Sequence, residues 1–189
     1  GSHTFRAITQ DLAGNASSCS SANVAYVLDL KAPTVTGLSN DSTSVQSKTW
    51  SWGCSEASCT YRYAVDTSAT WSATGSFAST ITATQSTGTG TYYIHVQAKD
   101  AAGNLSAVTT VSAGIDNTAP GMASALVLNT PSSSPGNQAT PTIQVSVTAE
   151  TSQTVKLYDA ATTSDCTSGN LIGTASGSGS TINVTSSTS

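Results

Sequence analysis

The sequence has little charge, few aromatic residues and no long apolar run. Only 16 of its 189 residues are charged, six of them Lys or Arg and ten Asp or Glu, which gives a formal net charge of -4. So few basic residues leave no electrostatic footprint for a polyphosphate, and we expect no nucleic-acid partner. No stretch approaches the roughly 20 apolar residues of a membrane-spanning helix, so we expect no membrane insertion by this segment.

What the chain does contain is β-forming sequence. Ser and Thr make up about a third of it, and β-branched residues favour strands. Apolar residues alternate with polar ones and do not recur at helical spacing. In the segment 92–99, for example, Ile94, Val96 and Ala98 share one face. This alternation predicts a half-buried strand with His95 on its outward, solvated face.

Similar alternation predicts further strands, separated by the Ser, Thr, Gly and Asn clusters that are typical of turns. Before residue 120 the predicted strands are 34–38, 49–53, 60–65, 79–83 and 107–113. After it they are 125–128, 142–147, 154–158, 171–175 and 181–185, with a flexible Gly-Ser turn at 177–180. Short strands at this spacing predict an all-β fold of antiparallel β-sandwich domains.

Two motifs recur at nearly the same interval. QDLAGNAS at residues 10–17 corresponds to KDAAGNLS at 99–106, which lies 89 residues later. DLKAP at 29–33 corresponds to DNTAP at 116–120, which lies 87 residues later. Two independent motifs with a common interval predict tandem repeats. DLKAP and DNTAP each end in a proline, which predicts a short, stiff linker at both places.

One segment carries a family resemblance. GTYYIHVQAKDAAGN at 90–104, followed by the Ala-Pro linker, resembles the penultimate strand and following turn of bacterial immunoglobulin-like (Big-type) repeats. The resemblance covers residues 32–116 and the N-terminal end, and it is weaker beyond Pro120. It implies immunoglobulin-like domains in tandem in a long surface or adhesin-like protein of a bacterium. It says little about a ligand, because this fold hosts many functions.

The repeat interval divides the chain unevenly. The predicted parts are a tag remnant at 1–3, the last two strands of a domain at 4–29, a linker at 30–33, a complete domain at 34–116, a linker at 117–120, and a domain without its last two strands at 121–189. The two end pieces together have 95 residues, the size of one immunoglobulin-like domain.

The two end pieces also predict a partner. We expect self-association, head to tail, in which residues 4–29 of one molecule complete residues 121–189 of a neighbour by strand complementation. The alternative is that the chain was divided at arbitrary positions and that the parent protein needs no such partner.

Four cysteines in a chain of this composition favour an oxidising, extracellular or cell-surface compartment. Cys54 and Cys59 flank a short connection between two predicted strands, and a disulfide there would close it. Cys19 and Cys166 lie one in each end piece, so they would pair between molecules if those pieces meet. Four cysteines allow three pairings, and the sequence does not choose among them. A zinc site would need a second close pair of ligands, which is missing.

The chain shows no pattern for catalysis, so we expect a non-enzymatic protein with no cofactor and no metal site. His95 is the only histidine outside the tag remnant. The chain has neither the Gly-x-Ser-x-Gly motif of a nucleophile elbow nor a glycine-rich phosphate-binding loop. Asp11 and Asp100 are interpreted as acceptors of backbone N–H groups in the turns that they open. A calcium ion held by Asp29 and Asp116 with one of these turn residues remains an alternative, although calcium prefers six to eight oxygens.

The aromatic residues separate into core and surface candidates. Trp50 and Trp52 are two residues apart and therefore face one side of a strand, which predicts core positions. Trp71 lies in a turn-rich segment and is interpreted either as a lid over the sandwich edge or as a sugar-stacking ligand contact. We therefore expect a stalk or spacer for cell adhesion, with a carbohydrate-binding module near Trp71 as the alternative. Beyond self-association, the expected partners are a host or prey surface glycan or protein.

Overall fold

A computed structural model describes residues 1–134, 136 and 138–187 of the chain. The chain forms two compact units, unit 1 at Gly1–Thr118 and unit 2 at Ala119–Ser189. The predicted end piece 121–189 falls in unit 2, and its last two residues lie outside the described part. Apart from two short 3₁₀ turns, the regular elements of the described residues are β-strands in mostly antiparallel sheets, so the expected all-β sandwich fold is confirmed. None of the described residues form a helix long and apolar enough to cross a membrane.

Thirteen strands occur in the described part of the chain. Unit 1 contains β1 (Ser2–Phe5), β2 (Val24–Val27), β3 (Val35–Thr36), β4 (Asp41–Val45), β5 (Lys48–Ser51), β6 (Gly53–Cys54), β7 (Thr60–Asp66), β8 (Thr82–Gln85), β9 (Gly90–Lys99) and β10 (Thr109–Ile115). Unit 2 contains β11 (Ala125–Thr130), β12 (Thr142–Tyr158) and β13 (Leu171–Thr185), with 3₁₀ turns at Thr163–Asp165 and Ser168–Asn170.

Residues 34–116 of unit 1 form the sandwich. Its largest sheet has the strand order β4-β10-β9-β7, and the pairs β5–β8 and β3–β6 provide further antiparallel strands. β9 pairs antiparallel with both β7 and β10, whereas β10 pairs with β4 in parallel. Trp50 and Trp52 are buried in one apolar cluster with Tyr61, as their positions in the sequence predict. Burying large aromatic side chains of this kind contributes much of the stability of a small domain.

β9 contributes several buried side chains to that core. Ile94, Val96 and Ala98 are completely buried, which confirms the predicted inward face. His95 is also completely buried, so the prediction that it lies solvated on the outward face is wrong. Alternation in the sequence shows only that His95 points away from the core. The outer face of the sheet is covered at this point by Trp71, whose ring stacks on the imidazole at 5.9 Å between centroids.

The first 29 residues of unit 1 form an isolated ribbon, by which we mean β1, β2 and the segment that joins them. β1 and β2 pair antiparallel from Ser2 with Val27 to Phe5 with Val24. Of residues 1–30, every one except Ser20 is exposed. The ribbon therefore has regular backbone pairing without a core of its own.

Unit 2 is a three-stranded antiparallel sheet in the order β11-β12-β13. The segments predicted as separate strands at 142–147 and 154–158 belong to the single strand β12, and those at 171–175 and 181–185 belong to β13. The predicted flexible turn at 177–180 is wrong, because these residues stay in β13 and Gly177 pairs with Gln153. The register shifts in this region instead, and Gly179 has a φ of +99°, a bulge conformation that suits glycine.

Candidate functional site

The turn that follows β9 is held by its own side chains. Asp100 opens it, and its carboxylate accepts hydrogen bonds from the backbone N–H of Asn104 at 2.8 Å and from the Asn104 amide at 2.9 Å. These bonds, led by the one from the Asn104 side chain, lower the pKa of Asp100 below its ordinary value. Gly103 supports the turn with a φ of +98°. The predicted role of Asp100 as an acceptor is therefore confirmed.

The same turn is built a second time in the ribbon. Asp11 accepts from the Asn15 backbone N–H at 2.8 Å and from the Asn15 amide at 2.8 Å, and Gly14 has a φ of +93°. The pKa of Asp11 is likewise lowered, mainly by the Asn15 side chain. The difference between the two turns is burial, since Asp100 is 6% exposed and Asp11 is fully in the exposed ribbon.

Three carboxylates meet beside the first of these turns. Ligand oxygens of Asp29, Glu56 and Asp100 all lie within 4.8 Å of one another. The calcium hypothesis from the sequence grouped Asp29 and Asp116 with one turn residue, Asp100 or Asp11. It missed Glu56, whose only signal in the sequence was its position inside the Cys54–Cys59 connection. Asp116 belongs to a different turn, where it accepts from the Thr118 backbone N–H at 3.0 Å. The three carboxylates could supply part of an oxygen ligand set for a hard cation such as calcium, which takes six to eight oxygens.

The disulfide between Cys54 and Cys59 is present and closes the connection that carries Glu56. It restrains the backbone on both sides of that carboxylate. Cys19 and Cys166 are free thiols, and both are exposed. Pairing of these two between different molecules stays a prediction.

The buried His95 is held by three oxygens. Its Nε2 lies 3.0 Å from the Ser68 carbonyl and 3.3 Å from Asp66 Oδ1, and its Nδ1 lies 2.8 Å from Thr110 Oγ1. Because a carbonyl oxygen only accepts, Nε2 carries the hydrogen in the neutral ring, and Nδ1 accepts from the Thr110 hydroxyl. His95 thereby fastens the segment after β7 to the outer face of the sheet.

The two ring nitrogens of His95 contact Thr110 and Asp66. Hydrogen bonds of this kind link the nucleophile, the base and the orienting acid of a catalytic triad. The surroundings differ from those of an active site. The imidazole has no exposed surface, and the ring of Trp71 stacks on it with an interplanar angle of 29°. Trp71 itself is only half-buried. The arrangement places Trp71 as a cover over His95 and leaves part of the indole in contact with solvent.

Unit 2 has an apolar groove of about 290 Å³. Its lining includes Leu126, Leu128, Ile143, Leu157 and Ile172. Leu126 is 59% exposed, although the neighbouring side chains of Val145 and Leu157 are buried in the core of the unit. A groove lined by several neighbouring apolar side chains is a candidate binding surface. Sequence reasoning did not identify this groove.

No protein-family model matches this chain, and no curated protein matches it in sequence.

Proposed function

We propose that this chain is a non-enzymatic structural segment of a bacterial cell-surface or secreted protein. In this proposal it consists of tandem immunoglobulin-like repeats of the Big type and serves as a stalk or spacer in cell adhesion. The observation that carries the proposal is the internal repeat. The turn at Asp100 and the turn at Asp11 have the same hydrogen bonds and the same left-handed glycine, 89 residues apart. Repeated domains joined by short linkers are a common way to build an elongated protein.

The strand order of the sandwich supports a load-bearing role. β4 lies near the start of the domain and β10 ends it, and the two pair in parallel. The backbone N–H of Asp116 also donates to the Val45 carbonyl at 3.0 Å. Pulling the ends of the domain apart slides parallel strands past each other, so several hydrogen bonds must break together. This arrangement suits a stalk under tension.

Single-molecule force measurements test this role. Attachment points at Lys31 and Asn117 load β4 and β10 in shear. Attachment at Ser51 and Thr82, which pair in β5 and β8, serves as the control geometry, because it opens one hydrogen bond at a time. We expect a clearly higher unfolding force in the first geometry. An equal or lower force there would contradict the stalk proposal.

The composition and the disulfide agree with a place outside the cytoplasm. Disulfides persist in oxidising compartments, and the bond between Cys54 and Cys59 closes the loop between β6 and β7. Few charged residues and abundant Ser and Thr give the domain a polar, weakly charged surface. Such a surface limits unwanted electrostatic attraction along an extended segment.

A carbohydrate-binding module at Trp71 is the second candidate. Its support is that the indole remains partly exposed while its ring is held by stacking on His95, and rigid aromatic rings provide flat contact surfaces for ligands. Screening the chain on a glycan array tests it. We expect Trp71→Ala to abolish any glycan binding and Ser72→Ala, at the exposed neighbouring position, to preserve it. Binding retained by Trp71→Ala would remove this site.

A further inference from the structure

The ribbon repeats not only the turn of the sandwich but also its strand register. Phe5 pairs with Val24 in the ribbon, as Ile94 pairs with Val111 in β9 and β10. The pairs before them also correspond, so the ribbon is a second β9–β10 unit with the same two inward-facing rows. In the sandwich these rows are buried, with Ile94 at 0% and Val111 at 7% exposure. Phe5 is 57% exposed and Val24 is 64% exposed.

An exposed ribbon of this kind needs a cover. An isolated two-stranded hairpin is at best marginally stable in water, and it requires a sheet or another apolar layer to pack against. The sandwich shows which layer suits this pair of strands. There the inward face of β9 packs against Trp50 of the antiparallel pair β5–β8. The layer that fits the ribbon is therefore an antiparallel sheet with an apolar surface.

Unit 2 offers such a layer. It is an antiparallel sheet with the groove lined by Leu126, Leu128 and Ile143. Among its described residues there is no strand pair joined by an Asp-x-Ala-Gly-Asn turn like the one at Asp100. Its outer strands, β11 and β13, each have one unpaired edge within the described part of the chain. The groove and these two edges are the surfaces of unit 2 that an antiparallel ribbon can cover.

We propose that the ribbon of one molecule docks on the groove of unit 2 of a second copy, through the face that carries Phe5, Val24 and Tyr26. Each molecule then presents one ribbon and one groove, and the contact is heterologous. Such a contact closes into a ring or continues as a filament. The inference concerns assembly and does not depend on the stalk function.

The number of exposed residues in the ribbon sets the size of the proposed interface. A specific protein–protein interface takes about 20–30 residues and about 800 Å² from each partner. The ribbon contains 29 residues, and all but Ser20 are exposed. Because docking uses one face of the ribbon, about half of these residues enter the contact, which makes it smaller than a standard interface and sensitive to protein concentration.

The path of the chain favours a second copy over closure within one molecule. The chain enters the sandwich at the Lys99 end of β9, where the Asn104 amide donates to the Asp29 carbonyl at 3.2 Å. It leaves at the Gly90 end, where the Asn117 amide donates to the Gly88 carbonyl at 2.9 Å. The ten residues of β9 separate these points by about 30 Å. The ribbon and unit 2 are therefore connected to opposite ends of the sandwich, and we take the occupant of the groove to be a second copy.

Sedimentation velocity of the full chain over a wide concentration range tests the inference. We expect the wild type to associate as concentration rises. Val24→Asp places a charge in the docked face and should weaken association at least about 100-fold. Val27→Asp is the matched control, because Val27 is 69% exposed on the opposite face of the same strand and should associate like the wild type. Neither valine is buried within the chain, so both variants keep its fold. A strictly monomeric wild type, or equal loss in both variants, would overturn the inference.

Mixing two blocked variants distinguishes a second copy from internal closure. Val24→Asp blocks the ribbon, and Leu126→Asp blocks the groove. Each variant alone should stay monomeric, whereas an equimolar mixture should form one-to-one dimers through the intact ribbon of one and the intact groove of the other. A mixture that remains monomeric would refute docking between copies. Force measurements on the sandwich are unaffected by this result, so failure of the assembly and failure of the stalk role are separable.

Discussion

The ribbon and the β9–β10 part of the sandwich are nearly the same local structure in two environments. In both, an aspartate opens a turn that an asparagine closes, with a left-handed glycine just before the asparagine. In both, a serine after the turn bonds back to the backbone of the segment before the turn. Ser106 Oγ accepts from the Ala98 N–H at 2.9 Å, and Ser17 Oγ accepts from the Thr9 N–H at 3.0 Å. Only the copy in β9 and β10 is packed in a core.

This difference separates local preference from tertiary packing. The hydrogen bonds of the turn join residues a few positions apart, so they form wherever the sequence occurs. Burial adds the apolar contacts that make a domain cooperative, at about 25 cal/mol per Å². The same substitution in the two copies should therefore have unequal effects on the unfolding of the sandwich, and the size of the inequality measures what packing contributes.

The largest expected difference is at the paired apolar positions. Ile94→Ala removes a fully buried side chain and should lower the free energy of unfolding by about 2–5 kcal/mol. Phe5→Ala, at the corresponding exposed position, should change it by no more than about 0.5 kcal/mol. Chemical denaturation at low protein concentration, followed by the fluorescence of the buried tryptophans, measures both. Similar losses would mean that the ribbon is packed on the sandwich.

A smaller difference is expected at the paired serines. Ser106→Ala leaves the buried N–H of Ala98 without its acceptor, which should cost about 1–3 kcal/mol. Ser17→Ala exposes the corresponding N–H of Thr9 to water, which replaces the lost bond, so unfolding should be almost unchanged. The same denaturation measurement applies. The expectation is wrong if Ser17→Ala destabilises the sandwich as much as Ser106→Ala does.

The smallest difference is expected in the response to acid. The pKa of Asp100 is lower in the folded chain than its ordinary value of 3.8. The stabilisation is therefore present above that value and is lost as pH falls through the lower, folded pKa. We expect the denaturation midpoint of the sandwich to fall in acid, with a shallower fall in Asp100→Asn.

Asp11→Asn is the control for this response. The pKa of Asp11 is lowered in the same way, but its turn lies outside the core. The pH profile of the sandwich in this variant should therefore match that of the wild type. Equal flattening in Asp11→Asn and Asp100→Asn would show that the two turns are energetically alike. The wild-type profile also includes Asp41, whose pKa is lowered chiefly by its hydrogen bond to Lys48.

Part of the fold and of the candidate site was predictable from the sequence. Alternation identified the inward face of β9, and the spacing of Trp50 and Trp52 identified two core residues. The burial of His95 was not predictable, because Trp71 and Ser68 cover it from 24 and 27 positions away in the chain. The proximity of Glu56 to Asp29 and Asp100 was not predictable either, since these carboxylates come from three separate segments of the chain.

The sequence by itself determined that the chain is built of strands, where the Asp-Gly-Asn turns lie and that the turn and its strands occur twice. These features depend on side-chain alternation and on hydrogen bonds between neighbours. The tertiary structure alone decided that 177–180 continues a strand, that His95 is enclosed and that one copy of the repeated ribbon is buried while the other is exposed. Those outcomes depend on which distant surfaces meet, and a pattern of neighbouring residues does not contain that information.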